Sequence, residues 1–260
     1  MTSGFRPLGT HGLERVGTCG LCGTVGPLTK THVPPKGAGN DQPSATMGYR
    51  NTDGIAGAQP GSPREGGAFA WLLCETCNGL TGRYDEDFIK WWTLMVIDWP
   101  NIDALHSGEM RIGSFRNARP GAFVRSVLGG MFAFNPTLRE RFPSVASAIL
   151  TGDRLVPPTD FRLLFSAYRG SVRGVLGMMA AITQWPDGRA SMTCMDGEWA
   201  WPPMHFMLTN DEGRVLWPNA MDITPWLRDL YATRRDVTVT LGVLDLHDLH
   251  MARFMRRETD

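Results

Sequence analysis

The most regular apolar pattern in the chain follows Asn78, where large apolar side chains recur every three or four residues. This spacing places them on one face of a helix. The helix is predicted to end at Pro100, because the residue before a proline disfavours helical backbone. The apolar face consists of Tyr84, Phe88, Trp91, Trp92, Met95 and Val96. The pattern therefore predicts an amphipathic helix that packs against the rest of the protein.

Two short apolar segments precede this helix. Residues 28–33 and 69–73 have the length of strands, and each lies beside a pair of cysteines. The interval 37–67 between them is rich in glycine, proline, serine, asparagine and glutamine, and it has no apolar period. This composition predicts a long loop, and loops of that length are typically functional or disordered.

The second half of the chain combines helical and strand patterns. Apolar residues recur at helical spacing over 122–134, and more helix is expected over 136–150. Beyond Asp160, segments typical of strands are separated by turn residues. These segments are 161–168, 175–182, 205–209 and 237–244. We therefore predict an α+β fold with a mostly antiparallel sheet, divided into an N-terminal module, 1–100, and a larger α+β domain, 101–260.

The charge balance limits the classes of partner. The 260 residues include 26 basic and 26 acidic side chains, so the net charge is zero. This excludes the strong positive field of many nucleic-acid binders, and a DNA or RNA site would have to be a local patch. No run of about 18 apolar residues occurs, which predicts a soluble, cytoplasmic protein with no membrane partner.

Four of the five cysteines form two Cys-x-x-Cys pairs, Cys19 with Cys22 and Cys74 with Cys77. Each such turn brings two thiolates to one ion, and two turns complete the tetrahedral shell of a structural zinc ion. Because 51 residues lie between the pairs, the ion would join remote segments. A redox dithiol and two coincidental pairs of core cysteines are the alternatives, but a redox dithiol normally needs a single pair.

The motifs around the cysteines follow one another in an informative order. After the first pair comes an apolar strand with a His-x-x-Pro motif that begins at His32, and the second pair is followed directly by Asn78. This order resembles that of the zinc-stapled HNH endonucleases, over about residues 15–95. The resemblance implies an N-terminal HNH-like module of two strands and a helix (ββα) around one divalent ion.

The resemblance also implies a function and two site residues. His32 would be the general base that deprotonates a water for attack on a phosphodiester, a task that suits an imidazole. Asn78 would be a ligand of a catalytic Mg²⁺ or Mn²⁺ ion. The implied protein is a metal-dependent endonuclease, a hydrolase that acts on nucleic acid.

Two parts of the HNH pattern have no direct match. The residue before the histidine is often a metal-binding aspartate in that family, and here it is Thr31. Asp85 or Asp87 would then have to supply a carboxylate. The central asparagine of the family, expected a few residues before the second cysteine pair, also has no match, and Asn40 or Asn51 could serve instead.

These departures leave a second hypothesis open, in which the protein is not a catalyst. The zinc ion would then stabilise a binding or structural protein, related to phage or bacterial defence, with 37–67 as its recognition surface. In either case we expect 101–260 to bind a protein partner or to self-associate. The enzyme hypothesis requires His32 and Asn78 to converge on one open cavity.

Overall fold

The structure is a computed structural model, which describes residues 14–42, 47–52, 55–60, 65–106, 108–170, 173–176, 179–184, 190–210 and 219–245. Within these ranges the chain is a mixture of helices and strands, so the predicted α+β class is confirmed. None of the helices in this part of the chain has the length and apolar character needed to cross a membrane.

In the described residues of the N-terminal part there are three small antiparallel strand pairs and three helices. The elements are β1 (Val16–Thr18), β2 (Val25–Pro27), β3 (Thr29–His32), β4 (Met47–Thr52), β5 (Ile55–Pro60), β6 (Phe69–Leu73), α1 (Glu75–Gly82), α2 (Asp85–Ile97) and α3 (Trp99–Asp103). Strand β1 pairs with β2, β3 with β6 and β4 with β5. The β3–β6 pair and α1 together form a unit of two strands and one helix.

The helix predicted after Asn78 is interrupted, so the prediction of one continuous helix is wrong. Helix α1 ends before Arg83 and Tyr84, and α2 begins after them. The interruption lets both side chains reach the end of a later helix. The Tyr84 hydroxyl donates to the carbonyl of Ile149 at 2.7 Å, and the Arg83 guanidinium donates to that of Leu150 at 2.6 Å. Tertiary hydrogen bonds therefore decide where this helix breaks.

The interval 37–67 contains the β4–β5 hairpin in addition to irregular backbone. The sequence between the two strands is Asp53-Gly54, a dipeptide typical of two-residue hairpin turns. The dipeptide therefore indicates a hairpin in the sequence, although the interval 37–67 has no apolar period.

The C-terminal part is built around one large sheet. Its elements are β7 (Met110–Ala118), α4 (Pro120–Phe134), α5 (Thr137–Arg141), α6 (Pro143–Thr151), β8 (Arg162–Tyr168), β9 (Gly174–Leu176), β10 (Met179–Gln184), β11 (Ala190–Trp201), β12 (Met204–Thr209), β13 (Met221–Asp222), a 3₁₀ helix (Thr224–Arg228) and β14 (Arg235–Leu244). The strand order is β10-β11-β12-β8-β14-β7, with β9 beside β11 and β13 beside β8. Among the described strands only the β8–β14 pairing is parallel, which confirms the mostly antiparallel sheet.

Helix α4 is the centre of the core. Every residue from Pro120 to Ala133 is buried, as expected for a helix that is apolar on all sides. On one side of α4, the ring centroids of Phe123 and Trp91 of α2 are 4.5 Å apart, and those of Phe123 and Phe165 of β8 are 5.7 Å apart. The buried cluster runs without interruption from the first cysteine turn to β14. The division into 1–100 and 101–260 stays a prediction.

Candidate metal centre and adjacent cavity

The two cysteine pairs lie on two tight turns that meet. Cys19 and Cys22 occupy the turn between β1 and β2, where Gly23 has a positive φ of 78° and donates its N–H to the carbonyl of Cys19 at 3.0 Å. Cys74 is the N-cap of α1, and Cys77 lies in the first turn of that helix. The turn and the helix start thus each present two sulfur atoms to one point.

The sulfur atoms have the spacing of a tetrahedral metal site. The four Sγ atoms of Cys19, Cys22, Cys74 and Cys77 lie within 4.8 Å of one another, and none is in a disulfide. The Sγ atoms of Cys22 and Cys74 are 3.8 Å apart. A tetrahedral site with Zn–S bonds of about 2.3 Å has sulfur–sulfur edges of about 3.8 Å. The four cysteines are therefore arranged to hold a metal ion, and the arrangement is compatible with structural zinc.

The electrostatics of the cluster favour a bound cation. Burial raises the pKa of the Cys77 thiol, and the neighbouring Cys19 raises it further. Burial also raises the pKa of Cys74. Burial acts in the same direction on Cys22, but hydrogen bonds with Thr24, Cys19 and Cys77 together outweigh it and lower that pKa to about 6. Four thiolates at this spacing repel one another, and a divalent cation would remove that repulsion.

The metal centre is attached to the helices of the C-terminal part. Arg139 of α5 donates to the carbonyl of Cys19 at 2.8 Å. A Cβ atom at Gly20 would lie 2.7 Å from the carbonyl oxygen of Phe132 in α4, so the turn packs backbone against backbone there. The cysteine cluster is thus held to α4 as well as to β6 and α1.

A cavity of about 260 Å³ lies between β3, α1 and α4, and both His32 and Asn78 line it. The two residues predicted to act together thus do reach one cavity, and both are partly exposed. The far wall comes from the C-terminal part, through Ser126 of α4 and Trp199 of β11. His32 and Asn78 therefore lie on the wall of one cavity.

His32 stands at the end of β3 with one ring nitrogen already used. Its Nε2 atom lies 3.1 Å from the carbonyl oxygen of Gly66. Because a carbonyl oxygen can only accept, Nε2 carries the hydrogen when the ring is neutral. The Nδ1 lone pair is then free, and no hydrogen bond within the described residues involves it. In its neutral form His32 therefore has its hydrogen on Nε2, and its Nδ1 atom is a hydrogen-bond acceptor.

The loop that carries Gly66 is fixed by Asn40, which is only 1% exposed. The Asn40 Nδ2 atom donates to the carbonyls of Pro34 at 2.7 Å and of Ala68 at 2.9 Å. Its Oδ1 atom accepts from the N–H of Ala68 at 2.5 Å. Asn40 thus ties the segment after His32 to the segment before β6. The side chain of Asn51, the other asparagine considered from the sequence, lies outside the described residues.

Asn78 lies inside α1, where Cys74 and not Asn78 is the N-cap. The Asn78 Nδ2 atom donates to the carbonyl of Lys30 in β3 at 3.4 Å, which leaves the Oδ1 atom for another partner. Amide oxygens are ligands of hard cations such as Mg²⁺. Asn78 thus links α1 to β3 and lies on the wall of the cavity.

The structure separates the two aspartates that the sequence could not distinguish. Asp87 is buried and forms an ion pair with Arg119, whose Nε lies 2.9 Å from Asp87 Oδ1. Burial raises the pKa of Asp87, and Arg119 opposes this change. Asp85 lines the cavity instead, and burial raises its pKa to about 7. Thr31 is buried, and its hydroxyl donates to the carbonyl of Thr29 at 3.4 Å.

The sequence reasoning missed several residues that line the cavity. Lys30 and Lys36 lie on either side of His32 in the sequence, and both line the cavity in the structure. Their position beside the His-x-x-Pro motif could have indicated that they belong to the site. Ser126 and Trp199 come from distant segments, and no local pattern marks them. The cavity therefore joins the N-terminal unit to the rest of the fold.

In comparisons with known proteins, no family model, no curated protein and no solved structure matches this chain.

Proposed function

We propose that the protein is a metal-dependent endonuclease of the HNH type, which hydrolyses phosphodiester bonds of nucleic acid. The observation that carries this proposal is that His32, with Nε2 bonded to Gly66, lines the same cavity as Asn78. A structural zinc ion on the four cysteines would hold the end of β6 and the start of α1 to the first turn. It would thereby fix α1, and Asn78 with it, against β3.

The chemistry follows from the tautomer of His32. Its Nδ1 accepts a proton from a water in the cavity, and the oxygen of that water attacks the phosphorus. The bond between phosphorus and the leaving oxygen breaks, that oxygen takes up a proton from solvent water, and His32 later returns its proton to solvent. The products are a phosphomonoester and a free hydroxyl group. A Mg²⁺ or Mn²⁺ ion bound through Asn78 Oδ1 would neutralise charge on the phosphate and on the leaving oxygen.

The charges around the cavity suit an anionic substrate. Lys30 and Lys36 line it beside His32, and lysines are common phosphate contacts. This is the local basic patch that a chain of zero net charge needs for binding DNA or RNA. The C-terminal part contributes Ser126 and Trp199 to the wall, which gives it a role in shaping the site. Its binding of a protein partner, its self-association and a link to phage or bacterial defence stay predictions.

A cleavage assay tests the proposal. Zinc-loaded wild-type protein would be incubated with single-stranded DNA, double-stranded DNA and RNA, with Mg²⁺, Mn²⁺ or Ni²⁺. We expect cleavage of at least one substrate, and a loss of about 10²- to 10⁴-fold in rate for His32→Ala. His106→Ala is the matched control, since His106 is an exposed histidine outside the cavity. Equal cleavage by His32→Ala and wild type, or none by wild type with any ion, would overturn the proposal.

A further inference from the structure

One stripe of the α1–α2 segment faces the cavity. Asn78, Thr81 and Gly82 of α1 line it, at the spacing of three and four that places side chains on one helical face. Asp85, the first residue of α2 after the break, lines it too. A Cβ atom at Gly82 would meet nothing within 4 Å. Open space therefore lies over the stripe between Asn78 and Asp85.

Asp85 is distinguished from its acidic neighbours by its surroundings. Asp87 is paired with Arg119, and Glu86 is exposed. Asp85 is partly buried on the cavity wall, and no hydrogen bond or ion pair within the described residues involves its carboxylate. Partly buried carboxylates are normally paired with a cation, since burial of an unpaired charge is costly.

The two lysines of the cavity do not fill this role. Neither Lys30 nor Lys36 forms an ion pair with Asp85 in the described structure, and the Lys30 Nζ atom lies over the ring of Phe69, 4.6 Å from its centroid. No cationic side chain among the described residues therefore pairs with Asp85, which leaves its carboxylate accessible to a cation from solution. The neutral Oδ1 of Asn78 on the same stripe makes a hard divalent cation the fitting ligand, because such ions prefer several oxygen donors.

We propose that Asp85 supplies the anionic oxygen ligand of a Mg²⁺ or Mn²⁺ site, with Asn78 Oδ1 as its neutral ligand. The inference rests on the proposed function for the role of that ion. Asp85 would then provide the negative charge that Thr31, a neutral residue, does not bring to the cavity. Lys30 and Lys36 would stay available for the phosphate groups of the substrate.

The test measures Mn²⁺ binding to the zinc-loaded full chain by electron paramagnetic resonance, without nucleic acid. We expect Asp85→Asn to weaken Mn²⁺ binding about tenfold or more, because ligand charge sets the affinity of such sites. Glu86→Gln, which removes a neighbouring exposed carboxylate, should bind Mn²⁺ as wild type does. Asp85→Glu keeps the charge and should retain more affinity than Asp85→Asn.

The outcomes separate this inference from the proposed function. Equal Mn²⁺ affinity of Asp85→Asn and wild type would overturn the role of Asp85, even if wild type cleaves nucleic acid and His32→Ala does not. Weakened Mn²⁺ binding by Asp85→Asn together with no cleavage by wild type would support the cation site and overturn the proposed nuclease. Zinc content and circular dichroism of each variant establish that the fold is intact. If Glu86→Gln lost as much affinity for Mn²⁺ as Asp85→Asn, this result would also contradict the inference.

Discussion

Replacing Asn40 with alanine tests how the loop beside His32 is held. The Asn40 side chain makes three hydrogen bonds, two to the carbonyls of Pro34 and Ala68 and one from the N–H of Ala68. Alanine removes all three, and it leaves two carbonyls and one N–H without partners in a buried place. The segment that carries Gly66, the acceptor for His32, then loses its attachment.

The size of the effect follows from these contacts. A buried polar group left unpaired costs about 1 to 3 kcal/mol, so three groups set an upper range of about 3 to 9 kcal/mol. Water can reach part of this loop, because Ala68 is only partly buried. We therefore expect Asn40→Ala to lower the free energy of unfolding by about 3 to 5 kcal/mol. Cleavage should fall about 10- to 100-fold, since small misplacements of catalytic groups have effects of this size.

Urea denaturation, hydrogen exchange and single-turnover cleavage measure these effects. The amide of Ala68, which donates to Asn40, should exchange faster in the variant, while the zinc content stays unchanged. Asn101→Ala is the control, because Asn101 is exposed and its side chain, among the described residues, bonds only to Asp98. It should change stability by less than about 0.5 kcal/mol. If Asn40→Ala had the same stability and the same cleavage rate as wild type, the reasoning would be refuted.

Three further predictions concern the metal centre and the core. Cys77→Ser removes a buried ligand, and we expect bound zinc to fall from about one equivalent to near zero and the Tm to fall by about 10 °C. Elemental analysis and calorimetry check this, and a full equivalent of zinc in the variant would contradict it. The guanidinium of Arg125 is fully buried and donates to five backbone carbonyls. Arg125→Met leaves the carbonyls of Asp153 and Asp229 without a donor among the described residues. Urea denaturation should therefore show a decrease of about 3 to 5 kcal/mol in the free energy of unfolding. A decrease below about 1 kcal/mol would contradict this reasoning. Burial raises the pKa of Asp196 to about 6, from about 4 in an unfolded chain. Its contribution to stability is therefore full below about pH 4 and is lost as the pH rises through about 6. As the pH rises from about 4 to about 6, the free energy of unfolding of Asp196→Asn should increase by about 2 to 3 kcal/mol relative to that of wild type. A difference between the two proteins that stays constant over this range would argue against the raised pKa of Asp196.

Much of the fold could be predicted where an element has a continuous apolar pattern. Strand β6 has the predicted bounds, Phe69–Leu73, and α4 begins two residues before the predicted helix, 122–134. Strand β8 likewise lies within the predicted segment 161–168. Helix α4 and strand β8 are buried over most of their length, so their burial in the core is visible in the sequence itself.

Strand β11 was not predictable, because it contains the turn-like dipeptide Asp196-Gly197. In the structure this dipeptide lies at a shift of register between Met195 and Gly197, a β-bulge that lets one strand continue through it. Asp196 is buried there and bonds to Arg141 of α5. A partner that is distant in sequence thus makes a turn signal compatible with a strand.

The candidate site was predictable as far as local motifs reach. The spacing of the cysteines identifies the metal cluster, and the His-x-x-Pro motif identifies His32. The choice between Asp85 and Asp87 depends on Arg119, which pairs with Asp87 from the start of α4. The cavity wall depends on Trp199 of β11. Both contacts exist only after α4 and the sheet have packed against α1 and α2.

Chemical rescue by imidazole is the most direct test of the central claim, that His32 is the general base of a nuclease. The measurement is the single-turnover cleavage rate of His32→Ala, with Mg²⁺ or Mn²⁺, at increasing concentrations of imidazole. The account predicts that the rate of His32→Ala rises with imidazole while that of wild type does not. Cleavage by His32→Ala at the wild-type rate without imidazole would contradict it.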